Sequence, residues 1–167
     1  MILMKKYNLT IVLLAMLTFF SCKKDDFTIG TPYSKVKGIS STWVLSEVWQ
    51  TDEIAESAPL NVTEFMLGAD PTTITFTENG RTYSMNVGSS VQFIPQSGTW
   101  KFDDDEYPTS VTLTNAGSDY QLDLQKPVRE IVDNSLEYKY IRPIGDCAVL
   151  ENGKKGAVGY IYKYVRK

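Results

Sequence analysis

Tyrosines are concentrated near the C-terminal end of the chain. Half of the ten lie beyond residue 137: Tyr138, Tyr140, Tyr160, Tyr162 and Tyr164. Alternate residues of a β-strand share a face, so the first two lie together, as do the last three. Pointing into a barrel, these rings and hydroxyls would orient an amphipathic ligand or stack on a sugar. Pointing outward, they would be strand-forming residues whose hydroxyls reach water.

Histidine is absent from all 167 residues. This absence excludes Ser-His-Asp triads, Cys-His dyads, His-ligated zinc and acid–base catalysis by imidazole. No linear pattern among the 20 acidic residues marks a buried carboxylate pair of the kind that glycoside hydrolysis requires. We therefore expect a protein that is not an enzyme and that carries neither a cofactor nor a metal.

Two further groups of residues could take part in binding or catalysis, but each has a simpler structural interpretation. The run Asp103-Asp104-Asp105-Glu106 could offer oxygen ligands to Ca²⁺, but it lacks the EF-hand pattern and is typical of a solvated acidic turn. Cys147 would need a base to form a thiolate, and without histidine a buried, shielded small side chain is the better interpretation.

The N-terminal segment has the anatomy of an export signal. Lys5 and Lys6 precede an uncharged, mostly apolar run over residues 9–20. The uncharged stretch is shorter than the roughly 20 residues that span a bilayer as a helix. Ser21-Cys22 resembles the junction of bacterial lipoprotein signals, so we expect removal of residues 1–21 and lipidation of Cys22.

The residues after Cys22 predict where the protein is displayed. Lys23-Lys24-Asp25-Asp26 is similar to signals that send lipoproteins of some Gram-negative bacteria to the cell-surface side of the outer membrane; the alternative is a solvated charge run. Residues 22–37 mix small, polar and charged residues as a flexible tether would, and residues 38–167 form the folded domain. A net charge of −3 argues against nucleic-acid binding.

The folded part alternates apolar and polar residues with a period of two. Residues 73–77 and 81–87 form the clearest hairpin, joined by a turn at Asn79-Gly80. The same alternation predicts short strands at 43–49, 91–93, 98–102, 111–113, 120–124, 128–132, 136–141 and 158–165. This pattern predicts an all-β, antiparallel up-and-down β-barrel, with a β-sandwich as the alternative.

One long connection interrupts the strands between residues 50 and 72. Residues 63–67 followed by Gly68 predict a single helical turn with a glycine stop. The connection carries Phe65 and Met66, which we expect to be buried at the mouth of the barrel, where they would contact a ligand or close one end.

Three short motifs resemble those of the lipocalin-like lipoproteins of the calycin group. They are Ser41-Thr42-Trp43, the hairpin over residues 73–83, and Gly98-Thr99-Trp100-Lys101-Phe102, and the likeness covers most of residues 41–141. Ser41 stands where that family has glycine. The resemblance implies a lipocalin-like barrel of about eight strands with an internal cavity, and it supplies no catalytic residues.

These observations favour a lipid-anchored binding module of the cell envelope. Its expected ligand is a small apolar or amphipathic molecule or a glycan, and its candidate contacts are the five C-terminal tyrosines with Phe65 and Met66. The alternative is an interaction lipoprotein that docks on an envelope protein through an exposed apolar patch. An enzyme with an unrecognised carboxylate site is a third hypothesis.

Overall fold

A computed structural model describes residues 33–54, 57–128, 134–143 and 156–167. The predicted signal segment, Cys22, most of the predicted tether and Cys147 lie outside these residues. Most of the strand predicted at 128–132 also lies outside them. None of the helices formed by the described residues has the length and apolar character needed to cross a membrane.

Strands dominate the described chain. In chain order the elements are α1 (Lys35–Ile39), β1 (Thr42–Asp52), β2 (Leu60–Asn61), α2 (Thr63–Met66), β3 (Thr73–Thr77), β4 (Thr82–Asn86), β5 (Ser97–Phe102), β6 (Ser110–Asn115), β7 (Ser118–Leu124), β8 (Ser135–Pro143) and β9 (Ala157–Arg166).

Eight of the strands form a closed antiparallel barrel. Neighbouring strands follow the order β1-β3-β4-β5-β6-β7-β8-β9, and β1 pairs with β9 to close the sheet. The short β2 pairs with β1 beside the barrel. Closure excludes the sandwich alternative and confirms the predicted up-and-down barrel, because consecutive strands are neighbours and the first meets the last.

The predicted hairpin is confirmed. β3 and β4 pair from Thr73↔Asn86 to Thr77↔Thr82. Gly80 in the turn has φ of +72°, a conformation that glycine adopts without a steric penalty. The apolar alternation places Phe76 and Tyr83 side by side in the core.

A bulge in β1 changes which of its residues face inward. The register with β9 shifts between Leu45 and Glu47, and the hydroxyl of Ser46 donates to the carbonyl of Lys163. Before the bulge the buried residues are odd-numbered, and after it Val48 is buried while Trp49 is only partly buried. One extra residue thus lets a long strand keep its apolar side chains inside the barrel.

The helix α1 closes one end of the barrel, here called the lower end. The indole N–H of Trp43 donates to the carbonyl of Ile39 at 2.8 Å, and both residues are fully buried. The Arg166 guanidinium donates to the carbonyl of Gly38 and lies 4.7 Å from the centre of the Trp43 ring. The opposite, upper end is where β1 finishes and β7 begins.

Two local expectations differ from the structure. Residues 91–93 lie in the loop between β4 and β5 instead of a strand, because the Phe93 ring packs on Tyr160, 4.7 Å between ring centroids. The helical turn α2 is confirmed, but Phe65 is 82% exposed. A single turn presents one face to the barrel, and Val62 and Met66 occupy that face.

Candidate functional site

The barrel wall is open between β7 and β8. These strands pair only at Asp123↔Lys139 and Leu124↔Tyr138, near the lower end. Toward the upper end β7 stays paired with β6 as far as Ser118, and β8 stays paired with β9 as far as Pro143. Toward the upper end β7 therefore follows β6 and β8 follows β9, so β7 and β8 diverge from each other.

The divergence creates a polar cavity of about 380 Å³, which we call the β7–β8 opening. It is lined by Asp119, Tyr120, Gln121, Asp123, Tyr140 and Ile141. Tyr120 shares a face with the fully buried Leu122, whereas Gln121 is exposed on the outer face. Because successive side chains point to opposite faces of a sheet, the residues that line this cavity come from both faces of the barrel wall.

Hydrogen bonds hold the outer lining in place. The Asp119 carboxylate accepts a hydrogen bond from the Thr114 hydroxyl at 2.6 Å, across the β6–β7 ladder. The Gln121 amide donates to the Asp123 carboxylate at 3.0 Å. These carboxylates keep free acceptor capacity, since each ionised carboxylate has about four lone-pair sites. The opening therefore presents fixed acceptors and an amide to a ligand.

Tyr140 lines the inner part of the opening. Burial, and secondarily the neighbouring Tyr120, raises the pKa of Tyr140 above its ordinary value. The hydroxyl therefore stays protonated at neutral pH and can both donate and accept a hydrogen bond. A neutral hydroxyl beside two carboxylates suits the recognition of other hydroxyl groups.

Aromatic packing shapes the upper end of the barrel near this opening. The loop between β4 and β5 places Phe93 against Tyr160, and the Arg142 guanidinium lies 4.5 Å from the centre of the Phe93 ring. Arg142 follows Tyr140 and Ile141 on β8. This cation–aromatic stack therefore contributes to the packing at the upper end.

The predicted tyrosines all have rings directed toward the barrel interior, but they divide into two groups. Tyr138, Tyr162 and Tyr164 are completely buried in the core. The hydroxyls of Tyr138 and Tyr164 are 2.8 Å apart, and burial raises the pKa of both. Tyr140 and Tyr160 are partly buried near the upper end, where Tyr140 lines the β7–β8 opening.

The remaining predicted contacts lie elsewhere. Met66 is buried in the core and Phe65 points into solvent. Cys22 lies outside the described residues. The structure therefore brings Tyr140 together with residues that the sequence interpretation did not select, chiefly Tyr120, Gln121 and Asp123. The alternation of residues 120–124 marked a strand but gave no signal that one edge of it would be unpaired.

The predicted acidic turn is an ordered loop. The Asp103 carboxylate accepts hydrogen bonds from the hydroxyl and N–H of Thr109 and the N–H of Ser110. These bonds lower the pKa of Asp103 to about 2, the Thr109 hydroxyl contributing most. Asp105 forms a bidentate pair with Arg81. Within the described ranges no three acidic or thiol side chains lie close enough to hold a metal ion.

These features define the class of protein as a closed, eight-stranded antiparallel β-barrel with an opening in its wall. The chain belongs to the family described as a domain of unknown function, DUF5004, whose model matches residues 21–143. No curated protein matches the chain. The family description names neither lipocalins nor lipoproteins, so that part of the resemblance stays a prediction.

Proposed function

We propose that the protein is a lipid-anchored, non-catalytic binding module that holds a glycan at the β7–β8 opening. The single observation that supports this function most strongly is the interrupted pairing of β7 with β8. In a closed barrel every strand edge is normally paired. An opening lined by two tyrosines, two carboxylates and an amide is therefore one place where the described part of this barrel departs from a purely structural shell.

The chemistry of the lining favours a glycan over an apolar ligand. Aromatic rings at Tyr120 and Tyr140 offer apolar faces for a sugar ring, and the side chains of Asp119, Gln121 and Asp123 offer acceptors and a donor for its hydroxyls. A fully apolar ligand would leave these polar groups desolvated without partners, at a cost of roughly 1–3 kcal/mol each. The carboxylates disfavour an anionic ligand.

Binding can be tested with the full chain in detergent on an array of neutral, acidic and amino-substituted oligosaccharides. We expect binding to a neutral glycan. In calorimetry with that glycan, Gln121→Ala should weaken affinity about three- to tenfold, because one hydrogen bond contributes about 0.5–1.5 kcal/mol. The matched control is Lys101→Ala, an exposed outer-face residue on β5, which should leave affinity unchanged. Failure to bind any glycan would overturn the proposal.

The proposed anchor is the lipidated thiol of Cys22, at the outer face of a Gram-negative outer membrane. The sequence supports this proposal, because Ser21-Cys22 directly follows the mostly apolar run over residues 9–20. Two or more acyl chains give stable membrane attachment. Lipidation is tested with radiolabelled palmitate, which cells should incorporate into the wild-type chain but not into Cys22→Ala. Surface display is tested by adding protease to intact cells, which should degrade the wild-type chain. Label retained by Cys22→Ala would contradict the anchor.

A second function, docking on an envelope protein, is favoured by an apolar depression on the outer face. The depression, about 250 Å³, is lined by Trp49, Pro59, Ile161 and Lys163, and Phe65 is the most exposed of the large apolar side chains in the described residues. A photo-crosslinker placed at Ile161 should then capture a discrete envelope protein in intact cells, while one at Lys101 should not. Equal labelling from both positions would count against docking.

A further inference from the structure

A second cavity, which we call the lower pocket, lies at the lower end of the barrel between the β5–β6 loop and the segment that follows β7. Its volume is about 390 Å³, within the range typical of ligand sites. Among the described residues, it shares no lining residue with the β7–β8 opening. Its lining is mostly apolar and includes Tyr107, Pro108, Leu124, Pro127 and Val128.

Hydrogen bonds fix the two sides of the lower pocket. The backbone N–H groups of Glu106 and Tyr107 donate to the Asp104 carboxylate at 2.7 and 3.1 Å. The N–H of Leu124 donates to the carbonyl of Thr109 at 2.8 Å, which joins the β5–β6 loop to the end of β7. Both sides are therefore positioned before a ligand binds, and this preorganisation lowers the entropic cost of binding.

The Tyr107 side chain stays exposed on this ordered loop. It is 74% exposed, although its backbone N–H is held by Asp104. Val128, on the other side of the lower pocket, is buried, and Leu124 is partly buried. A large ring at the rim and aliphatic side chains deeper in the cavity together offer a surface for the apolar body of a ligand.

The charged side chains of the lower pocket favour an anionic group. Lys35 of α1 lines the pocket and is partly buried, whereas Glu106 and Lys126 line it as exposed residues. Lys126 is paired with Glu137 at 2.6 Å. Water screens a partly buried charge less than an exposed one, so the ammonium of Lys35 interacts more strongly with a bound charge than the Glu106 carboxylate does.

We propose that the lower pocket is a second binding site, which takes an amphipathic molecule with an apolar body and one anionic group, such as a medium-chain carboxylate. The apolar body lies against Tyr107, Leu124 and Val128, and the anionic group binds the ammonium of Lys35. A cavity of about 150 Å³ holds a benzene molecule, so the lower pocket has room for roughly ten to fifteen carbon atoms.

Photolabelling of the full chain in phosphatidylcholine nanodiscs tests this proposal. Nanodiscs avoid detergent, which would compete with an amphipathic probe. The probes are derivatives of decanoate and decanol that carry a diazirine in the alkyl chain, and mass spectrometry maps the labelled residues. We expect both probes to label residues 106–109 and 124–128, the carboxylate at the lower concentration, and unlabelled decanoate to compete with both.

Two variants test the two parts of the site separately. Lys35→Gln should raise the concentration for half-maximal labelling by the carboxylate about two- to fivefold and leave labelling by the alcohol unchanged. Tyr107→Ala should raise it about fivefold for both probes, because apolar contact is lost. The matched controls are Lys37→Gln and Tyr33→Ala, which change exposed residues outside the pocket lining and should match the wild type.

The outcomes are specific to this site. Labels confined to other parts of the chain, or labelling that unlabelled decanoate does not reduce, would overturn the proposal. Equal labelling of the wild type by the two probes, or equal losses for both in Lys35→Gln, would show that the pocket does not recognise a negative charge. Gln121→Ala should leave the labelling unchanged, so the lower pocket and the proposed glycan site can fail independently of each other.

Discussion

At the scale of single residues, the interior contains two contrasting kinds of tyrosine. Tyr138 and Tyr164 satisfy each other through a hydroxyl–hydroxyl hydrogen bond of 2.8 Å in the core. Tyr83 and Tyr162 have comparable burial and no partner among the described residues. The first pair is explained by folding alone.

The paired tyrosines should be coupled energetically. Tyr138→Phe or Tyr164→Phe leaves the other hydroxyl buried and unsatisfied, so we expect each to lower the free energy of unfolding by about 1–3 kcal/mol. The double variant should lose less than the sum of the two single losses. A double-mutant cycle from urea unfolding measures this coupling, and strictly additive losses would contradict the pairing.

The stability of the folded protein should depend on pH through Asp103. Its pKa is about 2 in the folded protein, below the ordinary 3.8, so the folded state favours the ionised form. The resulting stabilisation is present above about pH 4 and is lost as the pH falls toward 2. Because Asp103 is exposed, solvent screening keeps the effect modest.

Thermal unfolding followed from pH 5 to pH 2 tests this dependence. Asp103→Asn should unfold at a lower temperature than the wild type at pH 5, and the difference should shrink as the pH approaches 2. Glu78→Gln, which changes an exposed acid in the β3–β4 turn at the same end of the barrel, is the control. A constant difference across the range would show that Asp103 does not contribute through its charge.

At the scale of elements, the contact between β4, β5 and β6 depends on Gly98. A Cβ atom there would collide with the backbone carbonyl of Thr114 and press on the Tyr83 ring. We expect Gly98→Ala to lower the free energy of unfolding by about 1–3 kcal/mol, the usual cost of overpacking. Urea unfolding measures the loss.

Gly117→Ala is the comparison for this prediction. Gly117 has φ of +82° in the β6–β7 turn, and a Cβ atom there would meet nothing within 4 Å. Gly117→Ala should lower the free energy of unfolding only through backbone strain, by about 1 kcal/mol. A larger loss at Gly117 than at Gly98 would contradict the packing explanation.

The same elements show what the sequence could predict. The β3–β4 hairpin follows from residues near one another in the chain, namely strict alternation around Asn79-Gly80. The bulge at Ser46 reverses the alternation of β1 without any local marker, because it is set by pairing with the distant β9. Phe93 has strand-like neighbours but lies in a loop because Tyr160 supplies a packing surface.

The candidate site was only partly predictable for the same reason. The spacing predicts that the C-terminal tyrosines share faces but leaves open whether those faces point inward or outward. The structure turns them inward and places Tyr140 at the opening. The opening itself depends on where β7 stops pairing with β8, which is a property of two strands and their other neighbours. A sequence pattern describes faces of a strand but not the pairing of its edges.

At the scale of the whole molecule, the two ends of the barrel have different roles. Helix α1 and the Trp43–Arg166 stack close the lower end, where the described chain begins. The β7–β8 opening lies toward the upper end. Within the described residues, α1 and the β7–β8 opening therefore lie toward opposite ends of the barrel.

The central claim is that the β7–β8 opening is the ligand site. Hydrogen–deuterium exchange of the full chain, with and without the best glycan from the array, tests it most directly. We predict that the glycan slows exchange in residues 118–124 and 139–143 while the exchange of residues 73–77 and 110–115 stays the same. Protection confined to the outer face around Trp49 and Ile161, or an unchanged β7 and β8 at a saturating glycan concentration, would contradict the account.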